Sequence, residues 1–384
     1  MQLDICIVTS SRADWGLFRA PARLIKTTPA FRLRIIAAGT HLSPRHGMTI
    51  DDIHNDGFAV DFQVPIFDET GDDAPAIIRA MARMTAGMGE ALAALRPDLV
   101  LLLGDRYEIL CAAQACLIAR APVAHLFGGD ITEGAFDDSI RHSITKLAHL
   151  HFVSNAPAAR RLERMGEQPE RIVIAGSPGL DSIRLVPALD RAATFAALGL
   201  VPRKHNLLVT FHPATLDEVP GETQFEELAA ALDALGPDTG VILTGSNADP
   251  EGQRLTQCAE AFAAARPNAV FRVSLGQKLY FSAMRHVNAV VGNSSSGLYE
   301  APSFAVATVN IGERQTGRIR AASVFDVAPE RGAIGRALAK ALAGDFRGVV
   351  NPYGDGYASE RIVSRLAAIT RPADLLVKRF YEGS

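Results

Sequence analysis

Only four cysteines occur in this 384-residue chain, and none of Cys6, Cys111, Cys116 and Cys258 is spaced as a C-x-x-C pair. That pattern argues against a disulfide scaffold and a thiolate metal knuckle. Cys6 and Cys111 lie in apolar runs and read as buried thiols of a reducing, cytoplasmic environment. Charge of one sign is not in excess: 39 basic against 42 acidic residues leave a net −3, which argues against nucleic acid as a partner. No apolar run reaches the ~18 residues of a membrane span, and no basic stretch followed by a long apolar one opens the chain, so neither a membrane partner nor a signal peptide is expected. H-E-x-x-H and H-x-x-x-H are absent, and His149-Leu150-His151 would point its two imidazoles to opposite faces of a strand. No metal is therefore expected. The Walker G-K-[ST] and the dinucleotide G-x-G-x-x-G are missing too, as are repeats at solenoid periods.

What is present is an alternation of short apolar runs with longer helical patterns. Runs at 5–9, 33–38, 99–103 and 122–126 read as strands buried on both faces, with helices at 15–26, 81–95 and 107–120 between them. The pattern restarts after residue 190, with strands at 206–211, 241–244, 269–273, 289–291 and 307–311. A tail over 358–381 reads as helical with a break at Arg371-Pro372. The expectation is an α/β chain of two Rossmann-like domains, 1–190 and 191–365, with a C-terminal helix in 366–384 packing back on the first.

Ligands of open parallel sheets bind at the carboxyl ends of strands, and the unusual residues lie there. Gly292-Asn293-Ser294-Ser295-Ser296-Gly297 follows a strand and precedes a helix expected near Gly297-Leu298-Tyr299-Glu300. It reads either as a serine-capped helix start or as a cradle of N–H and hydroxyl groups for phosphate. Glu300 could accept ribose hydroxyls, and Arg314, in Gly312-Glu313-Arg314-Gln315, could meet the same phosphates. His212 follows its strand directly and could donate to phosphate or carry a proton. In the first half, Ser10-Ser11-Arg12-Ala13-Asp14 and Gly104-Asp105-Arg106-Tyr107-Glu108 hold charges just past buried strands. These face either a ligand or each other. The segment from His125 to His142 packs Asp130, Glu133, Asp137, Asp138, Arg141 and two histidines behind Gly128-Gly129. On a helix from Asp137, Asp137 would align with Arg141 and Asp138 with His142. Such a group suits proton abstraction and redelivery.

Taken in order, these six motifs resemble the hydrolysing sugar-nucleotide 2-epimerases of sialic-acid and legionaminic-acid pathways, of the UDP-N-acetylglucosamine 2-epimerase family, over about residues 5–355. The resemblance implies a glycosyltransferase-B architecture with an interdomain cleft. It implies elimination of the nucleotide from UDP-N-acetylglucosamine or UDP/GDP-N,N'-diacetylbacillosamine, hydration to the free C2-epimeric sugar, no cofactor, and a homodimer or homotetramer. By position it implies catalytic roles for Asp105 and Asp137. Arg12, Arg106, Asn247, His212, Ser294, Ser295, Glu300 and Arg314 would lie around the nucleotide and sugar. One departure stands out: sialic-acid-type members carry a Glu where this chain has Phe127, and Asp130 or Glu133 would have to replace it. The alternatives are a non-hydrolysing epimerase, a retaining glycosyltransferase and a non-catalytic sugar-nucleotide sensor.

Overall fold

The computed structural model describes residues 2–67, 73–132, 136–213, 219–246 and 250–383. The expected site residues Glu133 and Asn247 lie outside them. The chain divides into two units, one of Met1–Ser182 with Tyr353–Ser384 and one of Ile183–Pro352.

Seven parallel strands build the first unit: β1 (Leu3–Thr9), β2 (Phe31–Ala38), β3 (Phe62–Val64), β4 (Leu99–Leu103), β5 (Val123–Leu126), β6 (Leu150–Val153) and β7 (Ile172–Ile174), in the order β3-β2-β1-β4-β5-β6-β7. Alternation splits each strand between two cores. On β1, Cys6 and Val8 face a cluster with Met84, Met88, Leu102 and Cys116. Ile5 and Ile7 face another, with Trp15, Phe18, Phe152 and Ile362.

Six parallel strands build the second unit: β8 (His205–Thr210), β9 (Thr239–Thr244), β10 (Ala269–Arg272), β11 (Ala289–Gly292), β12 (Ala307–Ile311) and β13 (Val324–Val327), in the order β10-β9-β8-β11-β12-β13. Here too Leu207 and Val209 enter one core and Leu208 the other. Strand order reverses between β1 and β4 in the first sheet and between β8 and β11 in the second. At such points the crossover helices diverge to opposite faces and leave a crevice at the strand ends. The α/β class and the strand–helix alternation read from the sequence are thus realised.

Two features of the tail differ from the sequence reading. The chain is already back in the first unit at Tyr353, because the buried carboxylate of Asp181 accepts from the N–H of Ala358 (3.0 Å) and Ser359 (2.7 Å) and so holds the start of the helix Ala358–Ala367 there. That helix ends at Ala367. Among the described residues, the span 366–383 contains its last two residues, the 3-10 turn Pro372–Leu376 and chain without regular secondary structure, so no α-helix fills it. Pro372 has no N–H with which to continue an α-helix.

Candidate active site

In the second unit the reversal point is built around Gly292. Its φ is +126°, and a Cβ there would stand 1.9 Å from the Thr210 carbonyl oxygen, so only glycine lets β11 turn this close to β8. The next side chain, Asn293, is buried and clasps the other strand end. Its Oδ1 accepts from the His212 N–H (2.7 Å) and its Nδ2 donates to the His212 carbonyl (2.8 Å). The Asn293 carbonyl in turn receives Arg314 (3.1 Å) and Gln315 (2.8 Å). The sequence-predicted Ser294, Ser295, His212 and Arg314 are thereby brought to one place. His212 Nδ1 lies 3.2 Å from Ser246 Oγ.

The helix expected after the serines is shorter than read. It spans only Ser296–Tyr299 and passes into a 3-10 turn, Ala301–Phe304, because Pro302 cannot extend it. Its dipole is correspondingly small. Ser295 has no side-chain capping bond, and among the described residues nothing accepts from the N–H of Ser294 or Ser295. Ser294 Oγ accepts from the Ser296 N–H at 3.4 Å, so a serine does meet the helix start, while the N–H groups of Ser294 and Ser295 are left to face a ligand or water.

A pocket of about 440 Å³ adjoins the cradle, lined by Thr210, Gly245, Gly276, Tyr280, Ser294 and Glu300 among others. Glu300 points one buried, unpartnered oxygen (Oε2) into this polar setting. Burial pushes its carboxyl up to about 7. Tyr280 donates to Ser296 Oγ (2.9 Å), and burial raises its phenol to about 12. Asn293, Ser246 and Tyr280 had no role assigned from the sequence. The position of Asn293 between a strand-end glycine and a serine run was the one available signal.

In the first unit, Ser11 caps the helix Arg12–Thr27 by accepting from Asp14 N–H, and the Asp14 carboxylate accepts from Ser10 N–H (3.1 Å) and Oγ (2.8 Å). Arg12 itself is an exposed side chain paired with Asp52 at 3.2 Å. After β4, the charges divide: Arg106 donates to the buried Glu108 (2.8 Å), while Asp105 is paired with Arg141. Arg141, 5 % exposed, comes from the helix Phe136–Leu147 and also donates to Asp138 Oδ1 (3.2 Å), Thr132 Oγ1 (2.9 Å) and the Asp130 carbonyl (2.8 Å). The i, i+4 alignment of Asp137 with Arg141 is thus replaced by an i, i+3 pair with Asp138, since Arg141 turns toward Asp105. The Asp138–His142 pair forms at 3.3 Å. Asp137 keeps a partly buried carboxyl, raised above its ordinary value first by burial and then by the charge of Asp105.

His125 is fully buried and its Nε2 donates to the Gly104 carbonyl (2.8 Å). Burial drops its pKa to about 3, so it is neutral and ties β5 to the turn after β4. Phe127 adopts φ +66°, a strained conformation for a bulky residue, and packs against the core. Asp130 is engaged by Ser154 Oγ (2.9 Å) and Asn155 Nδ2 (3.3 Å), which fasten it to the end of β6; burial raises its pKa. The two imidazoles of 149 and 151 do take separate partners, Val123 N–H and Glu167.

A family described as UDP-N-acetylglucosamine 2-epimerase matches residues 23–367. The chain belongs to that family. It is 37% identical over 323 residues, 84% of this chain and 83% of the relative, to a protein of Campylobacter jejuni named GDP/UDP-N,N'-diacetylbacillosamine 2-epimerase (hydrolyzing). It is 33% identical over 97% of its length to a Legionella pneumophila protein named UDP-N,N'-diacetylbacillosamine 2-epimerase (hydrolyzing), covering 98% of it. The fold is shared with the UDP-GlcNAc 2-epimerase of Neisseria meningitidis solved with UDP-GlcNAc, at TM-score 0.76 and 14% identity, covering 95% of this chain and 99% of that one. The glycosyltransferase-B-like architecture and an enzyme of the hydrolysing 2-epimerase type, both implied by the motifs, are therefore established. Among the described residues no helix is long and apolar enough to cross a membrane.

Proposed function

We propose that this enzyme acts on UDP- or GDP-linked N,N'-diacetylbacillosamine, expelling the nucleoside diphosphate and releasing the free sugar inverted at C2. The observation that carries the reading is the pairing of each reversal point with one half of the chemistry. The second unit offers uncharged N–H and hydroxyl donors with an arginine, and the first offers carboxylates with a raised pKa. Relatives at 37% and 33% identity that are named for diacetylbacillosamine support this substrate.

In the proposed sequence a carboxylate takes the C2 proton, C1–C2 becomes a double bond, and the C1–oxygen bond breaks with its electron pair leaving on the diphosphate. Water then adds across the glycal, hydroxyl to C1 and proton to C2 from the opposite face. Asp137 is assigned as the proton acceptor. Its basicity is raised by burial, as that of Asp130 is, and also by a neighbouring charge, because the Arg141 guanidinium that fixes Asp105 keeps that second carboxylate beside it. Asp130 is assigned a holding role, because its oxygens serve Ser154 and Asn155. Glu133 stays a candidate for the second proton transfer. Ser294, Ser295, His212 and Arg314 are assigned to the departing diphosphate, where preorganised donors stabilise developing charge, and Glu300 to the ribose. Arg12 and Arg106 are assigned to the sugar side, Asn247 to the nucleotide side. Assembly as a dimer or tetramer and a cytoplasmic location belong to the same proposal.

The test is a turnover screen by mass spectrometry with UDP- and GDP-linked N,N'-diacetylbacillosamine and UDP-N-acetylglucosamine, each without acceptor. Free C2-inverted diacetamido sugar with one nucleotide released per sugar supports the reading. Turnover of UDP-N-acetylglucosamine alone overturns the substrate, and an epimer still bearing its nucleotide overturns the hydrolytic course.

A further inference from the structure

The extended segment after Pro372–Leu376 takes no part in the steps above, yet it is fastened to the first unit at both ends. Arg171 donates to the carbonyls of Leu375 and Val377, each at 2.8 Å. Tyr381 N–H donates to the Gly166 carbonyl at 2.9 Å. The Phe380 ring lies so close over Gly166 that a Cβ there would stand 2.3 Å from it. Between these fixings Lys378 drives its ammonium inward. Nζ donates to the carbonyls of Ala148 (2.7 Å), Lys146 (2.9 Å) and Thr145 (3.2 Å), and meets Glu167 Oε2 at 2.7 Å.

Thr145 and Lys146 lie in the last turn of the helix Phe136–Leu147, and Ala148 follows it directly. The last carbonyls of a helix have no partner within it, and a cation there also meets the negative end of the helix dipole. Glu167 is fully buried and is shared with Lys146 (2.6 Å) and His151 (3.0 Å). Lys378 therefore supplies a buried terminus with its counter-charge and its donors together. The first turns of the same helix carry Asp137, Asp138 and Arg141, roughly 10 Å away along a rigid rod, and Thr145 Oγ1 donates back to the Arg141 carbonyl at 3.1 Å.

We propose that Lys378 is a positioning residue for this helix: the tail straps down its carboxyl end and so keeps Arg141 and Asp137 in register with Asp105. The proposal rests on the assignment of Asp137 and Asp105 to the reaction. Lys378→Met keeps the apolar stem and removes the charge, while Lys378→Arg keeps the charge. The readouts are kcat and KM on the full chain, UDP affinity by calorimetry, and amide hydrogen exchange over residues 137–148. The expected result for Lys378→Met is a kcat at least about tenfold lower with KM and UDP affinity within about twofold, and exchange over 137–148 about tenfold faster. Lys378→Arg should recover much of both. Wild-type kcat and exchange in Lys378→Met overturn the proposal. So does a change confined to KM, or a Lys378→Arg variant as impaired as Lys378→Met. If Lys378→Met does not fold, Arg171→Gln loosens the strap at Leu375 and Val377 and must shift kcat and exchange in the same direction; unchanged values overturn the strap. A wild-type enzyme inactive on every sugar tested would count against the reaction assigned above, while the exchange data would still decide whether the strap holds the helix.

Discussion

Replacing Glu300 by Gln isolates a single titration in the second unit. Desolvation holds this carboxyl near 7 instead of its ordinary 4.5, with Oε2 unpartnered. If ribose hydroxyls donate to it, the bound state favours the ionised form and the pKa falls on binding. The sign follows: affinity is fully developed above the free-state pKa and declines as pH falls through it. With a pKa of about 7, roughly 9% of molecules carry an ionised Glu300 at pH 6 and roughly 91% at pH 8, so affinity should rise about tenfold, or ~1.4 kcal/mol, between them. UDP-glucose is the suitable probe, because its diphosphate is esterified at both ends and carries no proton in this range. Calorimetry in two buffers of different ionisation enthalpy should show about 0.9 proton released per molecule bound at pH 6 for the native protein. Glu300→Gln should bind with no release and no such rise. Protonation of His212 beside phosphate would act with the opposite sign, so the difference between the two proteins is the quantity to read. A pH 6 to pH 8 rise no larger in the native protein than in Glu300→Gln would refute the reasoning.

Asp137→Asn should lower kcat by about two to four orders of magnitude with KM changed less than about threefold; steady-state kinetics on the preferred substrate checks it, and near-native turnover removes Asp137 from the reaction. Asp105→Asn withdraws the negative charge that raises Asp137, so the acidic limb of the kcat/KM profile should move to lower pH. A limb that stays in place, or moves up, contradicts that coupling. Asn293→Ala removes both bonds to the His212 backbone and should weaken UDP binding by about tenfold, as measured by calorimetry. Gly292→Ala forces a Cβ onto the Thr210 carbonyl at a φ of +126° and should destabilise the second unit by at least ~2 kcal/mol in denaturant unfolding.

The fold was legible because buried parallel strands write themselves as uninterrupted apolar runs. Leu99–Leu103 and Ala307–Ile311 carry the bounds read from the sequence, and others differ by a few residues at their ends. Errors arose where a proline or a non-local contact overrode helical periodicity. Periodicity over 358–381 reads as helix on both sides of a break at Arg371-Pro372, but the first helix ends at Ala367 and only a 3-10 turn follows the break. The segment beyond then lies extended because Arg171 and Gly166, some two hundred residues earlier, take its carbonyls and its N–H. The four-residue helix after Ser295 is a similar case: Gly297-Leu298-Tyr299-Glu300 favours helix, and Pro302 cuts it short.

The two candidate clusters, one in each unit, differ in legibility for one physical reason. In the second unit the glycines and serines belong to a single turn, so Gly292 to Gly297 announces itself in consecutive letters. The bond of Asn293 to His212, across 81 residues, was hidden, as were the contacts of Ser246 and Tyr280. In the first unit, the arrangement depends on which carboxylate each cation selects. Helical spacing offers Arg141 to Asp137 and Asp138 alike. The strand order β1-β4-β5 decides the matter, by setting Asp105 at the end of β4 within reach of the helix that follows β5. That order is not encoded in any local window. It leaves Asp137 as a partly buried carboxyl beside a like charge, where helical spacing had aligned it with Arg141.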